Sequence, residues 1–412
     1  MTSLLYALAR SAPLLASVVA FLAFAAAPAR GQGPFSGPAM TGPILATVPA
    51  QANSVLLYDL GTDTRRELSF GALTHTFWGF SPDGCRLLVT LSDGAEPARM
   101  ISASLDGEDV RELVDYTEIP DSGWGVWEPQ WSPDGTKIAF TMVRATRYLN
   151  VPARQAEDEP YEYRIAWIPA QGGAPTFYSV AGDEHTPQWS PDGAWLAYVG
   201  YEKRIAGADP TSTAEPTPQP PPGVTPPAMP TVREADLWVV SADAAEKYRL
   251  TFFTTGSVGM PRWSPDGNLI AFVYSPVGNN DQFWMVGNQP GAIPTQLSFQ
   301  WSLILDLTWL PDSSAMLAAV RDFGGPSPNR LLTIPLVGLA DSGARPYVDD
   351  PALTYADFPR FSPDGRWLAL RSEYSLALLD TGTNDWFLLD VAPGNTPPYW
   401  SPAGFEGEHR CS

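Results

Sequence analysis

One short phrase returns seven times along this chain. It stands as Phe80-Ser81-Pro82-Asp83-Gly84, as Trp131-Ser132-Pro133-Asp134-Gly135, and again from Trp189 and Trp263. Three further copies are Trp309-Leu310-Pro311-Asp312-Ser313, Phe361-Ser362-Pro363-Asp364-Gly365 and Trp400-Ser401-Pro402-Ala403-Gly404. Successive copies lie 39 to 74 residues apart. A period of that length means one supersecondary unit copied along the chain, each copy burying its apolar face against the next.

Each phrase is followed by a short apolar run: Lys137-Ile138-Ala139-Phe140, Trp195-Leu196-Ala197-Tyr198-Val199, Leu269-Ile270-Ala271-Phe272-Val273, Trp367-Leu368-Ala369-Leu370. Such runs, rich in β-branched and aromatic residues, predict strands. A second run follows (Leu237-Trp238-Val239-Val240) and then a third (Tyr248-Arg249-Leu250-Thr251), with Gly, Asp, Asn and Ser between them as a hairpin requires. The phrase is itself a turn: Pro fixes φ, Asp suits the next position and Gly accepts positive φ. One strand ends at the phrase and three follow it, so each unit is a four-stranded antiparallel sheet, the size of a propeller blade. The aspartates of the phrase read as turn residues, not catalytic ones.

The Trp-Ser-Pro-Asp-Gly turn followed by an Ile-Ala-Phe strand resembles the TolB-type, WD40-like propeller repeat, which also builds the propellers of prolyl-oligopeptidase-like enzymes. The likeness runs from about residue 45 to 404. It implies an all-β propeller and work in the periplasm or cell envelope through protein contacts. The α/β domain that TolB proteins carry before the propeller has no counterpart in these 412 residues, so a Tol–Pal role is not carried over.

The last phrase has too little chain after it for three strands. The missing strands stand at the other end: Ile44-Leu45-Ala46-Thr47-Val48, Ser54-Val55-Leu56-Leu57-Tyr58 and Arg65-Arg66-Glu67-Leu68, with no phrase before them. The expectation is an all-β, seven-bladed β-propeller over 44–404, closed by N- and C-terminal strands sharing one blade, with a tail at 405–412. Six blades is the alternative, because the copy at Trp309 has lost its Ser and Gly. Closure of this kind removes exposed sheet edges.

The chain carries 45 acidic and 25 basic residues, a net charge of −20. That argues against nucleic acid and anionic lipid surfaces as partners. Residues 1–29 read as a signal peptide: Arg10, an uncharged stretch over 11–29, and Ala27-Pro28-Ala29 as a cleavage site. A flexible segment, 30–43, would follow. The expected product is a secreted or periplasmic monomer with no membrane insertion after cleavage. An uncut leader, long enough to span a bilayer, would give an N-terminally anchored extracytoplasmic protein instead. Export permits a disulfide. Cys85 and Cys411, the two cysteines of the chain, follow the first and last phrases, which a closed ring places on one face of adjacent blades, so a Cys85–Cys411 bridge is expected.

Two insertions fall between the second and third runs of neighbouring units: Arg144 to Tyr163, with its acidic residues and tyrosines, and 209–230, with nine prolines. The latter is extended or disordered, not strand. Strand parity sets both insertions on the same face as the residues three to five before each phrase. Innermost strands line the channel, so those residues should ring its mouth: His75 and Thr76, Trp127 and Glu128, Glu184 and His185, Asp306, Asp357, Asn395 and Thr396, with Trp124 nearby. The ligand-binding set is His75, Trp127, Glu128, Glu184, His185, Asp306 and Asp357. Arg262 and Arg360 share the slot just before their aromatics, which repetition alone explains.

The chain shows no G-x-S-x-G elbow, P-loop or G-x-G-x-x-G fingerprint. No catalytic residue, metal ligand set or cofactor is assigned. The expected function is an exported scaffold that binds a protein or peptide partner, or a glycan, in the envelope. The alternative is a lyase or hydrolase at the mouth using His75 or His185 with nearby acids.

Overall fold

The computed structural model describes residues 39–411 apart from 51, 94–97, 117–122, 146–160, 179–182, 206–230, 279, 299–302, 322–328, 338–343, 349, 351–352, 354 and 374. The leader, most of the segment at 30–43, the proline-rich insertion and the middle of the Arg144–Tyr163 insertion lie outside the described residues.

Seven four-stranded antiparallel sheets make a seven-bladed propeller. Blade 1 is composite: Tyr399–Trp400 pairs with Ile44–Thr47, followed by Val55–Asp59 and Thr64–Leu68. Leu45 lies opposite Trp400, and Ala46 opposite Tyr399. The ring is therefore closed by both ends of the repeat array, and the six-bladed alternative falls. Blades 2 to 7 open on the strands Thr74–Phe80, Gly125–Trp131, Asp183–Trp189, Ser257–Trp263, Leu303–Trp309 and Asp357–Phe361.

The second strand of a blade is apolar on both sides because the blade is sandwiched. In blade 2, Leu87 and Val89 pack toward blade 1, while Leu88 between them packs toward blade 3. The buried apolar residues accordingly form seven clusters, one at each blade junction. With side chains alternating across each strand, a run of consecutive apolar residues serves two neighbouring interfaces at once.

The repeated phrase builds a turn held by its own side chains. In blade 4, Gly193 N–H donates to the Ser190 carbonyl at 2.9 Å. Ser190 Oγ donates to Asp192 Oδ1 at 2.6 Å and accepts Trp195 N–H at 2.9 Å, while Ala194 N–H donates to Asp192 Oδ1 at 3.0 Å. The hydrogen bonds from Ser190 and the Ala194 N–H hold the Asp192 carboxyl below the usual carboxylate range. Gly193 sits at φ 70°, where glycine carries no steric penalty. The copy at Trp309 keeps the turn by other means: Ser314 donates N–H and Oγ to Asp312, and Ser313 takes the positive φ of 60°.

The tail fastens the composite blade. Glu408 accepts Arg66 Nη1 and Nη2 at 2.6 and 3.0 Å and Met40 N–H at 3.1 Å. Cys85 and Cys411 are disulfide-bonded, with Cα atoms 5.2 Å apart. Phe405 lies against Gly84, where an added Cβ would come within 2.4 Å of its ring.

Candidate functional site

All seven innermost strands border one central cavity of about 680 Å³. The wall is shaped by a bulge in the first strand of blades 2 to 7, where the pairing register shifts, for example between Trp127 and Gln130, His185 and Gln188, and Gly259 and Arg262. In four blades the bulged residue is left-handed without being glycine: Glu128, Thr186, Met260 and Phe358, with φ between 50° and 58°. Each is followed by proline, which has no N–H to lose where the ladder is broken. The bulge turns these four side chains onto the cavity wall.

The slot just before each aromatic faces the same space. It holds Gly79, Gln130, Gln188, Arg262, Thr308, Arg360 and Tyr399. Arg262 Nη2 and Arg360 Nη1 both reach the buried Asp306 carboxylate, at 3.3 and 2.6 Å. Across the wall, burial pushes the Glu128 carboxyl up, against the Thr186 hydrogen bond and the Arg262 charge. Its Oε2 is buried and has no partner. Burial also raises the Tyr399 hydroxyl.

A carboxyl raised in the folded state binds its proton more tightly there than in the unfolded chain. Ionised Glu128 therefore costs stability as pH climbs from the unfolded carboxylate value through its folded one. Glu128→Gln is expected to be more stable than the parent at pH 7 to 8 and equal to it near pH 4. Urea unfolding of both proteins across that range measures it, and an equal gap at every pH would refute the assignment.

A second feature lies on the face that carries both insertions. Five rings form a row across blades 3 and 4: Tyr161 to Tyr163 at 6.2 Å, Trp127 to Tyr163 at 6.3 Å, Tyr163 to His185 at 5.9 Å, and His185 to Tyr201 at 5.5 Å. Trp127 is 45% exposed and Tyr161 49%. Strand pairing explains the row. Tyr163 lies beside Val143 in blade 3, and His185 beside Val199 in blade 4.

The residues expected at the mouth thus separate into three groups. Glu128 and Asp306 line the cavity, and Trp127 and His185 belong to the aromatic row. His75, Glu184 and Asp357 are occupied by the framework. His75 is buried, with Nδ1 on the Leu73 carbonyl at 2.7 Å and Nε2 accepting Phe70 N–H at 2.9 Å. Glu184 is paired with Lys247 at 2.8 Å, and Asp357 with Arg371 and Asn329. Burial pushes His185 down to about 4, so its ring is neutral at pH 7, and Nδ1 is joined to Thr186 Oγ1 at 2.7 Å. Among the described residues no group of three His, Cys, Asp or Glu is placed to hold a metal ion. Arg262, Arg360 and Tyr399 join the wall although repetition had discounted the two arginines; their shared slot was the signal.

The fold is a seven-bladed β-propeller in which each blade carries one copy of the repeated phrase. No protein-family model matches the chain. An uncharacterized protein of Agrobacterium fabrum is 30% identical over 149 residues, which is 35% of this chain and 45% of the relative. An uncharacterized peptidase of Bacillus subtilis is 25% identical over 245 residues, 59% of this chain and 29% of the peptidase. The chain spans less than half the length of these curated relatives. Among solved structures, a puromycin hydrolase superposes with a TM-score of 0.57 at 15% identity, over 88% of this chain and 55% of that one. At that identity the likeness is one of fold.

Proposed function

We propose that this propeller is an exported binding protein that takes an extended peptide segment of a partner protein along the aromatic row of blades 3 and 4. The observation that carries this reading is the row itself: adjacent rings 5.5 to 6.3 Å apart, two of them half exposed at the face where both insertions emerge. Rows of tyrosine and tryptophan suit extended, proline-rich segments, which lose little conformational freedom on docking. The net charge of −20 favours a basic segment. Export is supported by the leader-like sequence at 1–29 and by the Cys85–Cys411 disulfide, since such bonds persist in oxidising compartments. Binding is favoured over catalysis at the mouth because His75 has both ring nitrogens engaged in the framework.

The test is a panel of basic, proline-rich peptides read by tryptophan fluorescence, with a glycan array beside it. Peptide binding is expected, and Trp127→Ala and Tyr161→Ala should each weaken it about tenfold or more, the range of an aromatic hot spot. Unchanged affinity in both variants would remove the row as the site. Glycan capture without peptide binding would overturn the peptide assignment.

A further inference from the structure

We propose that the central cavity is a second, independent binding site that holds a compact organic anion, its carboxylate gripped between Arg262 and Arg360.

The charges in the wall are unequal. Two guanidiniums converge from blades 5 and 7 onto one carboxylate, Asp306 of blade 6. Among the described residues each guanidinium makes one other hydrogen bond, to the carbonyl of its own preceding proline: Pro261 at 3.0 Å and Pro359 at 2.8 Å. A guanidinium has five N–H donors in a fixed fork, so both arginines keep donors for a ligand. Asp306 also accepts Leu307 N–H at 2.8 Å and is almost wholly buried. It serves as the fixed brace that aims both forks, and a planar bidentate acceptor is what such forks match best.

The opposite wall is underused in a complementary way. Glu128 Oε2 is buried and without a partner, and Glu128 borders the cavity. Buried polar atoms are rarely left so. A volume of about 680 Å³ falls within the range of small-molecule sites. A metal cation is disfavoured by the two arginines, and a purely apolar ligand would leave the guanidiniums, Glu128 and Gln130 unmatched.

The site also implies a proton. With Glu128 ionised, its charge and that of Asp306 balance Arg262 and Arg360, and an incoming anion adds an uncompensated charge. With Glu128 protonated, Asp306 and the ligand balance the two arginines, and the new hydroxyl can donate to the ligand. Tyr399, whose hydroxyl burial keeps neutral, is the remaining titratable group bordering this wall. Burial favours the protonated form of Glu128, so anion binding should take up a proton and weaken as pH rises.

Calorimetry with acetate, succinate and glutarate against their neutral amides tests the proposal. At least one carboxylate is expected to bind and raise the melting temperature, with its amide inert. Arg262→Gln and Arg360→Gln should each weaken that binding by about tenfold, the loss of one charge-assisted pair. Each variant leaves one arginine on Asp306, and its melting curve confirms folding. Heats in two buffers of different ionisation enthalpy should report proton uptake, which Glu128→Gln abolishes. No binding by any of the three carboxylates, equal binding of the amides, or unchanged affinity in both arginine variants would overturn it. These measurements do not involve the aromatic row, so either site can fail without the other.

Discussion

Asp236→Ala is expected to destabilise the propeller by about 3–5 kcal/mol, the cost of leaving one half of a buried ion pair without its partner. Asp236 lies in the third strand of blade 4 and is 1% exposed. Its carboxylate is paired with Arg249, and it accepts Thr251 Oγ1 at 2.6 Å and Phe253 N–H at 3.0 Å. Thr251 in turn accepts Leu237 N–H at 2.9 Å, and Arg249 Nε donates to the Thr251 carbonyl at 2.6 Å. One deletion therefore strands a charge, a hydroxyl and a backbone donor together. The double variant Asp236→Leu with Arg249→Met should recover most of the loss, because it removes both charges instead of orphaning one. Equilibrium unfolding in urea separates the two outcomes. A single variant as stable as the parent would show that water reaches the network.

Loss of the disulfide should cost about 2–5 kcal/mol. The bond joins residues 326 apart in sequence, so it confines nearly the whole unfolded ring, and the stabilisation expected from chain entropy rises with loop length. Cys411→Ser leaves Glu408 on Arg66 and the Tyr399–Trp400 strand in place, so the native fold should persist with a lower urea midpoint. The parent in reductant should match the variant. A midpoint insensitive to both changes would mean that the strand pairing and the Arg66–Glu408 ion pair already hold the seam unaided.

The fold was legible because its main device is local. Ser190, Asp192 and Gly193 complete their turn with one another, so five letters carry the geometry and repetition carries the count. Closure was legible by subtraction, from strands without a phrase at one end and a phrase without strands at the other. The site was less so. His75 reads as a free imidazole in sequence, but the Leu73 carbonyl and Phe70 N–H that occupy it come from the turn leading into its own strand. The convergence of Arg262 and Arg360 on Asp306 joins residues 44 and 54 apart in sequence. No local pattern distinguishes that from two copies of a repeat. The aromatic row depends on which strand ends stand side by side between blades, a property of the closed ring.

The left-handed residues ahead of the prolines have one further effect. Glu128, Thr186 and Phe358 stand outside the hydrophobic seams between blades, Met260 touches the seam of blades 5 and 6, and the backbone shape of all four is supplied by the bulge and not by the side chain. An acid, a hydroxyl, a thioether and a phenyl ring already share that one mould. The scaffold thus offers interchangeable fittings on a fixed hub, so a redesigner could swap the lumen's chemistry position by position while the rotor that carries it stays assembled.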